Sequence, residues 1–179
     1  MKYFLLFKNT NNKTCSLENR NSYIFRKQYY NNELFNTAES IEISFSKDAA
    51  NKFLPLKNII VFHGLNDSFV VDEYTMELLQ SHFSDCLSFI KTEVINDDEY
   101  KNLKFYILYF KCLMSGLNEE KSEINFRVDD KFIVEKEIEF PDVFKFKNYK
   151  MLTFASETFK AFVEENNIEG WIFREAFEK

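Results

Sequence analysis

Two histidines and three cysteines are the side chains in this 179-residue chain best suited to covalent or proton-transfer chemistry. His63 follows the apolar run Ile59–Phe62 and precedes Gly64, a strand-end position from which a side chain can be presented to a substrate. His82 and Cys86 stand four residues apart, so a helix would put them on one face as base and nucleophile. Their neighbours argue the other way. Phe83 and Leu87 flank Cys86 with apolar bulk, which marks it as a core residue. His82 suits a helix C-terminus, where a cation is favoured. A nucleophile elbow of the form GxSxG is absent from the sequence.

Metal and phosphate chemistry find little support. Cys15, Cys86 and Cys112 are widely separated and no CxxC occurs, so the spacing of a zinc site is missing. Asn96-Asp97-Asp98-Glu99 is acidic but has neither the alternation nor the glycine of a calcium loop. None of the three glycines sits in a GxGxxG or GxxxxGK context, which excludes a nucleotide-phosphate cradle. No cofactor and no metal are expected. The carboxylates at Asp97, Asp98, Glu99, Glu135, Glu137 and Glu139 remain as candidate contacts for a basic protein partner. Read as a strand, 135–139 puts its three glutamates on one face, with Lys136 and Ile138 opposite. Like charges so aligned repel and belong in water. A solvated face is the ordinary meaning of such a run.

Composition bounds what must hold these residues. Aromatic residues make up 18% of the chain and 22 residues are Phe, enough to fill a real core and too many for a disordered chain. The length suits one large domain, or a domain with a smaller lobe. A soft boundary near Pro55–Asn58 divides a strand-rich N-terminal lobe, 1–58, from an α+β domain, 59–179. A net charge of −6 argues against nucleic-acid binding and is compatible with a basic protein partner. An odd cysteine count without a framework predicts free thiols in a reducing compartment. The apolar run Tyr3–Phe7 is too short for a signal sequence, and no segment reaches the ~20 apolar residues of a membrane span. A cytoplasmic location follows as the expectation.

The elements come in a repeated plan. Phe69-Val70-Val71 leads into Asp72-Glu73, an amphipathic run through Met76, Leu79 and Phe83, and then the apolar stretch Leu87–Ile95. Leu152 and Phe154 lead into Ser156-Glu157, an amphipathic run through Phe159, Phe162 and Val163, and then Trp171-Ile172-Phe173. Asp72 and Ser156 are helix N-caps, with an acid next to each that favours the positive end of the helix dipole. Asn167 or Gly170 supplies the left-handed exit of the second helix. Alignment of the two caps matches Leu78 with Phe162 and Leu79 with Val163. Other strands are predicted at Lys2–Lys8, Ser22–Arg26, Ile41–Phe45 and Ile59–Phe62. Phe105–Phe110 reads as a central strand buried on both faces or as a helix start, with its β-branched and aromatic content favouring the strand. Short strands are predicted from Ile124 to Val128, Phe132 to Val134, Ile138 to Phe140 and Phe144 to Phe146, and a short helix after Ser46. The fold class is α+β: a mixed or antiparallel sheet with two or three packed helices.

Several stretches, in order, resemble a known bacterial family: Val70–Leu79, Phe89–Ile95, Tyr106–Ser122, Phe140–Phe146 and Leu152–Phe173. The middle one contains Leu117-Asn118-Glu119-Glu120-Lys121-Ser122. The closing one contains Phe154, Ser156, Glu157, Phe159 and Lys160, with Glu164, Gly170 and Phe173 beyond. These stretches are similar to the immunity-protein domain of polymorphic toxin systems typified by a Myxococcus protein, formerly a domain of unknown function. The likeness runs from about Ile59 to Phe177 and leaves the N-terminal third unmatched. Asn118 stands where that pattern carries Asp. The resemblance implies a cytoplasmic, non-enzymatic inhibitor that binds and neutralises a cognate toxin domain. Two other readings stand beside it: a hydrolase-like enzyme using His63 or the Cys86–His82 pair, and a ligand- or peptide-binding module lined by aromatic side chains.

Overall fold

Asp72 and Ser156 each turn a strand directly into a helix. Asp72 accepts the Thr75 N–H at 2.7 Å, and Ser156 Oγ accepts the Phe159 N–H at 3.1 Å. Each thereby satisfies one of the donors that a helix start leaves open. The computed structural model describes residues 1–8, 14–17, 41–45, 60–62, 69–95, 100, 102–125 and 130–179. Ser22–Arg26, the helix expected after Ser46, His63 and Asp97–Glu99 lie outside these residues.

The first unit is β5 (Phe69–Asp72), α1 (Glu73–Phe83) and β6 (Leu87–Val94). β7 (Phe105–Phe110) lies between its two strands and runs antiparallel to both, with Ile107 facing Val70 on one side and Ile90 on the other. The second unit is β10 (Tyr149–Ser156), α2 (Glu157–Glu165) and β11 (Trp171–Glu178). Here the dividing strand is β1 (Lys2–Lys8), with Leu5 facing Phe154 and Arg174. The repeat in the sequence is thus a repeat in space. Each unit is a strand–helix–strand whose strands are split by an antiparallel third. One dividing strand follows its unit in the chain; the other precedes everything else.

Around these units the fold is mixed α+β. One sheet has the order β11-β1-β10-β9-β8, with β8 (Leu113–Met114) and β9 (Val143–Phe146) pairing in parallel. The other closes as a barrel, β2-β3-β6-β7-β5-β4, through β2 (Thr14–Leu17), β3 (Ile41–Phe45) and β4 (Ile60–Phe62). Parallel pairs join β3 to β6 and β2 to β4. β7 is the buried central strand its composition predicts, with Ile107 and Leu108 fully enclosed.

The five-stranded sheet is covered on both faces. The two helices meet on one side, where Phe83 packs on Phe159 at 4.9 Å and on Phe162 at 5.1 Å between ring centroids. Leu79 and Val163, the aligned pair, share this core with Leu6, Val143, Ala155 and Trp171. On the other side Tyr3, Leu5, Phe144, Phe146, Phe154 and Phe177 form a second, Phe-rich core. Phe144 stacks on Phe154 and Phe140 stacks on Phe144. Strand alternation sends β1 residues to the two cores in turn, Leu5 to one and Leu6 to the other. Lys145 is the exception to an apolar–polar alternation in β9. It is buried, with its ammonium 5.4 Å from the Phe110 ring centre. Both faces of β9 are covered, so the position has no open water side.

α2 ends in a left-handed residue, as predicted. Asn167 has φ 53°, Ile168 N donates to Val163 O at 2.9 Å and Asn167 N to Glu164 O at 3.1 Å. This is a Schellman closure, with Ile168 and Val163 in the same core. Gly170, with φ 109°, then turns the chain into β11.

The two caps differ in depth. Ser156 is fully buried and also donates from Oγ to Asp142, whereas Asp72 is only half-buried. Ser156→Ala is expected to cost about 2 kcal/mol and Asp72→Ala about 1 kcal/mol, read by urea denaturation. Equal losses would show that the Asp142 bond adds nothing.

Candidate partner-binding surface

The second core is closed by residues 117–125 and 130–140, irregular stretches held by a few polar anchors. Asn118 Oδ1 accepts the Lys121 N–H at 3.1 Å, and Asn118 O accepts Ser122 Oγ at 2.7 Å. Ser122 Oγ in turn accepts the Ile133 N–H at 2.9 Å, while Asn118 N donates to Ile133 O at 2.8 Å. The polar segment Leu117–Ser122 is therefore a turn that holds the stretch around Ile133 against itself. Asn118 acts through a side-chain oxygen that Asp would supply equally, so its departure from the family pattern leaves the turn intact.

This region corrects the strand expectation. Between 117 and 140 the described residues make two isolated bridges, Leu117 with Val134 and Glu123 with Lys131, rather than a run of strands. Residues 126–129 lie outside the description. Glu135, Glu137 and Glu139 do not share one face of a strand. They sit in and around a turn at 136–137, all three exposed, while Ile138 and Phe140 reach inward to the core. Core packing by Phe132, Ile138 and Phe140 sets the path here, and it overrides the two-residue period. None of the three glutamates forms an ion pair among the described residues. Gly116 permits the approach of this turn: its φ is 103°, its carbonyl accepts Glu135 N at 2.7 Å, and a Cβ there would overlap Ile138 Cδ1.

Beside the turn lies an open groove of about 880 Å³. Tyr3, Phe132, Phe140 and Phe177 line its apolar part. Lys136, Glu139, Glu178 and Lys179 supply its charges. Lys179 Nζ is held by the Ile138 carbonyl. The Tyr3 hydroxyl donates to Phe140 O at 3.1 Å, and burial, aided by the carboxylates of Asp142 and Glu139, raises its pKa above the ordinary 10.0. No sequence signal points to this groove. Its parts come from the first strand, the last strand and the irregular segment, which meet only in the folded chain.

The predicted nucleophile–base pair is not assembled. His82 lies exposed at the end of α1, with Nδ1 2.8 Å from Ser81 Oγ and 3.2 Å from Leu78 O. Its ring packs on Phe162 at 4.5 Å. Cys86 is buried in the core, and no hydrogen bond joins it to His82. Among the described residues, no cluster of three or more His, Cys, Asp or Glu is placed to hold a metal ion, and no helix is long and apolar enough to cross a membrane.

A comparison with protein families matches residues 7–178 to the immunity protein family Imm11. The chain belongs to this family. The match starts in β1 and so includes the N-terminal third, which the motif resemblance had left out. In this chain β1 is the dividing strand of the second unit and completes that sheet. A comparison with curated proteins finds no match.

Two variants test how this surface is held. Tyr3→Phe removes the bond to Phe140 O and is expected to cost about 1 kcal/mol at pH 7. Because the folded-state pKa of Tyr3 is raised, its titration contribution is complete below pH 10 and is lost as pH rises through the folded value. The variant should therefore lose less stability than the parent above pH 10, measured by chemical denaturation across that range. Gly116→Ala, strained by positive φ and by Ile138, is expected to cost about 2 kcal/mol in the same assay.

Proposed function

We propose that this Imm11 protein binds a cognate toxin effector domain and neutralises it by occlusion, without catalysis, in the cytoplasm of the cell that makes both. The family match over nearly the whole chain carries the reading. The architecture agrees with it: both faces of the five-stranded sheet are filled with packed side chains, which makes a firm body for presenting an exterior.

The contact surface proposed is the turn at Glu135, Glu137 and Glu139 with the aromatic groove beside it. Asp97, Asp98 and Glu99 belong to the same proposal as acidic contacts. The partner patch that fits is a basic segment carrying an apolar side chain. The apolar side chain enters between Phe132, Phe140 and Phe177, and the basic groups meet the glutamates. The buried apolar anchor would supply most of the affinity, and the exposed charges chiefly the rate of encounter and the choice of partner. An interface of ordinary size buries about 1,600 Å² in total.

Co-expression with the toxin encoded by the neighbouring gene is the direct test. The intact chain should restore growth and bind the purified toxin domain; persistent killing together with no binding would sink the reading. The triple variant Glu135→Gln, Glu137→Gln, Glu139→Gln is expected to slow association about tenfold at low salt, with the difference fading at high salt. Unaltered association at low salt would place the interface elsewhere while leaving neutralisation itself intact.

A further inference from the structure

Cys86 and Cys112 are neighbours whose pairing the proposed function does not use. Cys86 closes the turn after α1, its N donating to Phe83 O at 3.0 Å. Leu87 and Phe110 are register partners of β6 and β7, and one step further Lys111 N donates to Cys86 O at 2.8 Å. Cys112 thus stands one residue beyond the partner of Cys86 at the end of the ladder. Its Sγ lies 3.6 Å from the carbonyl of Asp85, the residue before Cys86. Both thiols are free, and Cys112 packs against the core cluster that contains Cys86. Cys112 is only half-buried, so a small reagent can reach it. Its carbonyl accepts Lys145 N at 2.9 Å, which places it where the chain passes from the barrel to the five-stranded sheet.

We propose that Cys86 and Cys112 form a modification site, a dithiol that closes to a reversible intramolecular disulfide and fastens the turn after α1 to the crossover between the two sheets. A low-molecular-weight disulfide, RSSR, is the oxidant. The Cys112 thiolate, its proton released to water, attacks one sulfur of RSSR and expels RS⁻. The Cys86 thiolate, its proton likewise released, then attacks the Cys112 sulfur of the mixed disulfide and expels the second RS⁻. Two protons leave the protein thiols, two electrons pass to RSSR, and two RSH result. In a reducing compartment the site stays open as the dithiol; in an oxidising one it closes. Burial, and next the neighbouring Cys86, push the Cys112 thiol up to about 11. Closure is therefore slow near pH 7 and accelerates as pH rises, because the thiolate is the nucleophile.

The test treats the full chain with oxidised glutathione at pH 7, 8 and 9, followed by acid quench, alkylation and peptide mapping without reduction. The expected product is a single Cys86–Cys112 link, about 2 Da lighter than the dithiol, with Cys15 alkylated. Its rate should rise roughly tenfold per pH unit. The oxidised chain should melt at a higher temperature than the reduced one. Cys112→Ser should abolish the link and keep the native circular dichroism spectrum, and Cys15→Ser should leave the link unchanged. A lasting glutathione adduct on Cys112, a link to Cys15 or between chains, no reaction at pH 9, or a lower melting temperature would each overturn the proposal. Nothing in this test depends on the toxin, so its outcome stands apart from that of the immunity reading.

Discussion

Antiparallel pairing of the first strand between two strands of the last unit is the constraint on which this structure rests. Leu5 faces Phe154 on one side and Arg174 on the other, so β1 binds β10 and β11 into one sheet. Without it the second unit would leave two parallel strands apart, with unpaired backbone groups between them. The same strand feeds both cores, Leu6 on the helical side and Tyr3 with Leu5 on the Phe-rich side. The contact that forms earliest in the sequence is thus made with the residues that come last.

The outer features follow from that pairing. Because the sheet is filled on both faces, the 117–140 segment must bury Phe132, Ile138 and Phe140 on it, and the intervening glutamates are left in water. Tyr3 and Phe177, paired across β1 and β11, give the groove its aromatic wall. Ordinary packing thereby creates an apolar recess beside exposed carboxylates, a combination suited to recognition of another protein's surface. The two helices belong to the other face, where their contact through Phe83, Phe159 and Phe162 joins the repeated units.

Local chemistry was legible where it decides alone. Asp72 and Ser156 announce helix starts because a side-chain oxygen three residues before an N–H can satisfy it with no help from the fold. The sequence narrows the left-handed exit of α2 to Asn167 or Gly170, and the β-branched and aromatic content of Phe105–Phe110 favours a central strand over a helix start. Period alone misleads where packing outweighs it. The glutamates at 135, 137 and 139 keep strand spacing, yet the chain turns there. Lys145 keeps the polar parity of its strand and is buried all the same, since β9 has no solvent face. Phe177 shares the parity of Trp171 and Phe173 but joins the opposite core, because a bulge between its pairing with Tyr3 and that of Glu175 with Phe4 reverses the alternation.

What the sequence determined by itself was the pair of capped strand–helix–strand units, the aromatic core they require and the kinship carried by their order. Those are short-range matters, fixed by neighbours a few residues apart. The tertiary structure alone decided which strand divides each unit, that Cys86 meets Cys112 rather than His82, and that the chain's two ends and an irregular middle share one groove. Such pairings join residues far apart in the chain, and the free energy that selects them comes from burial and ladder hydrogen bonds that exist only once the whole sheet has formed.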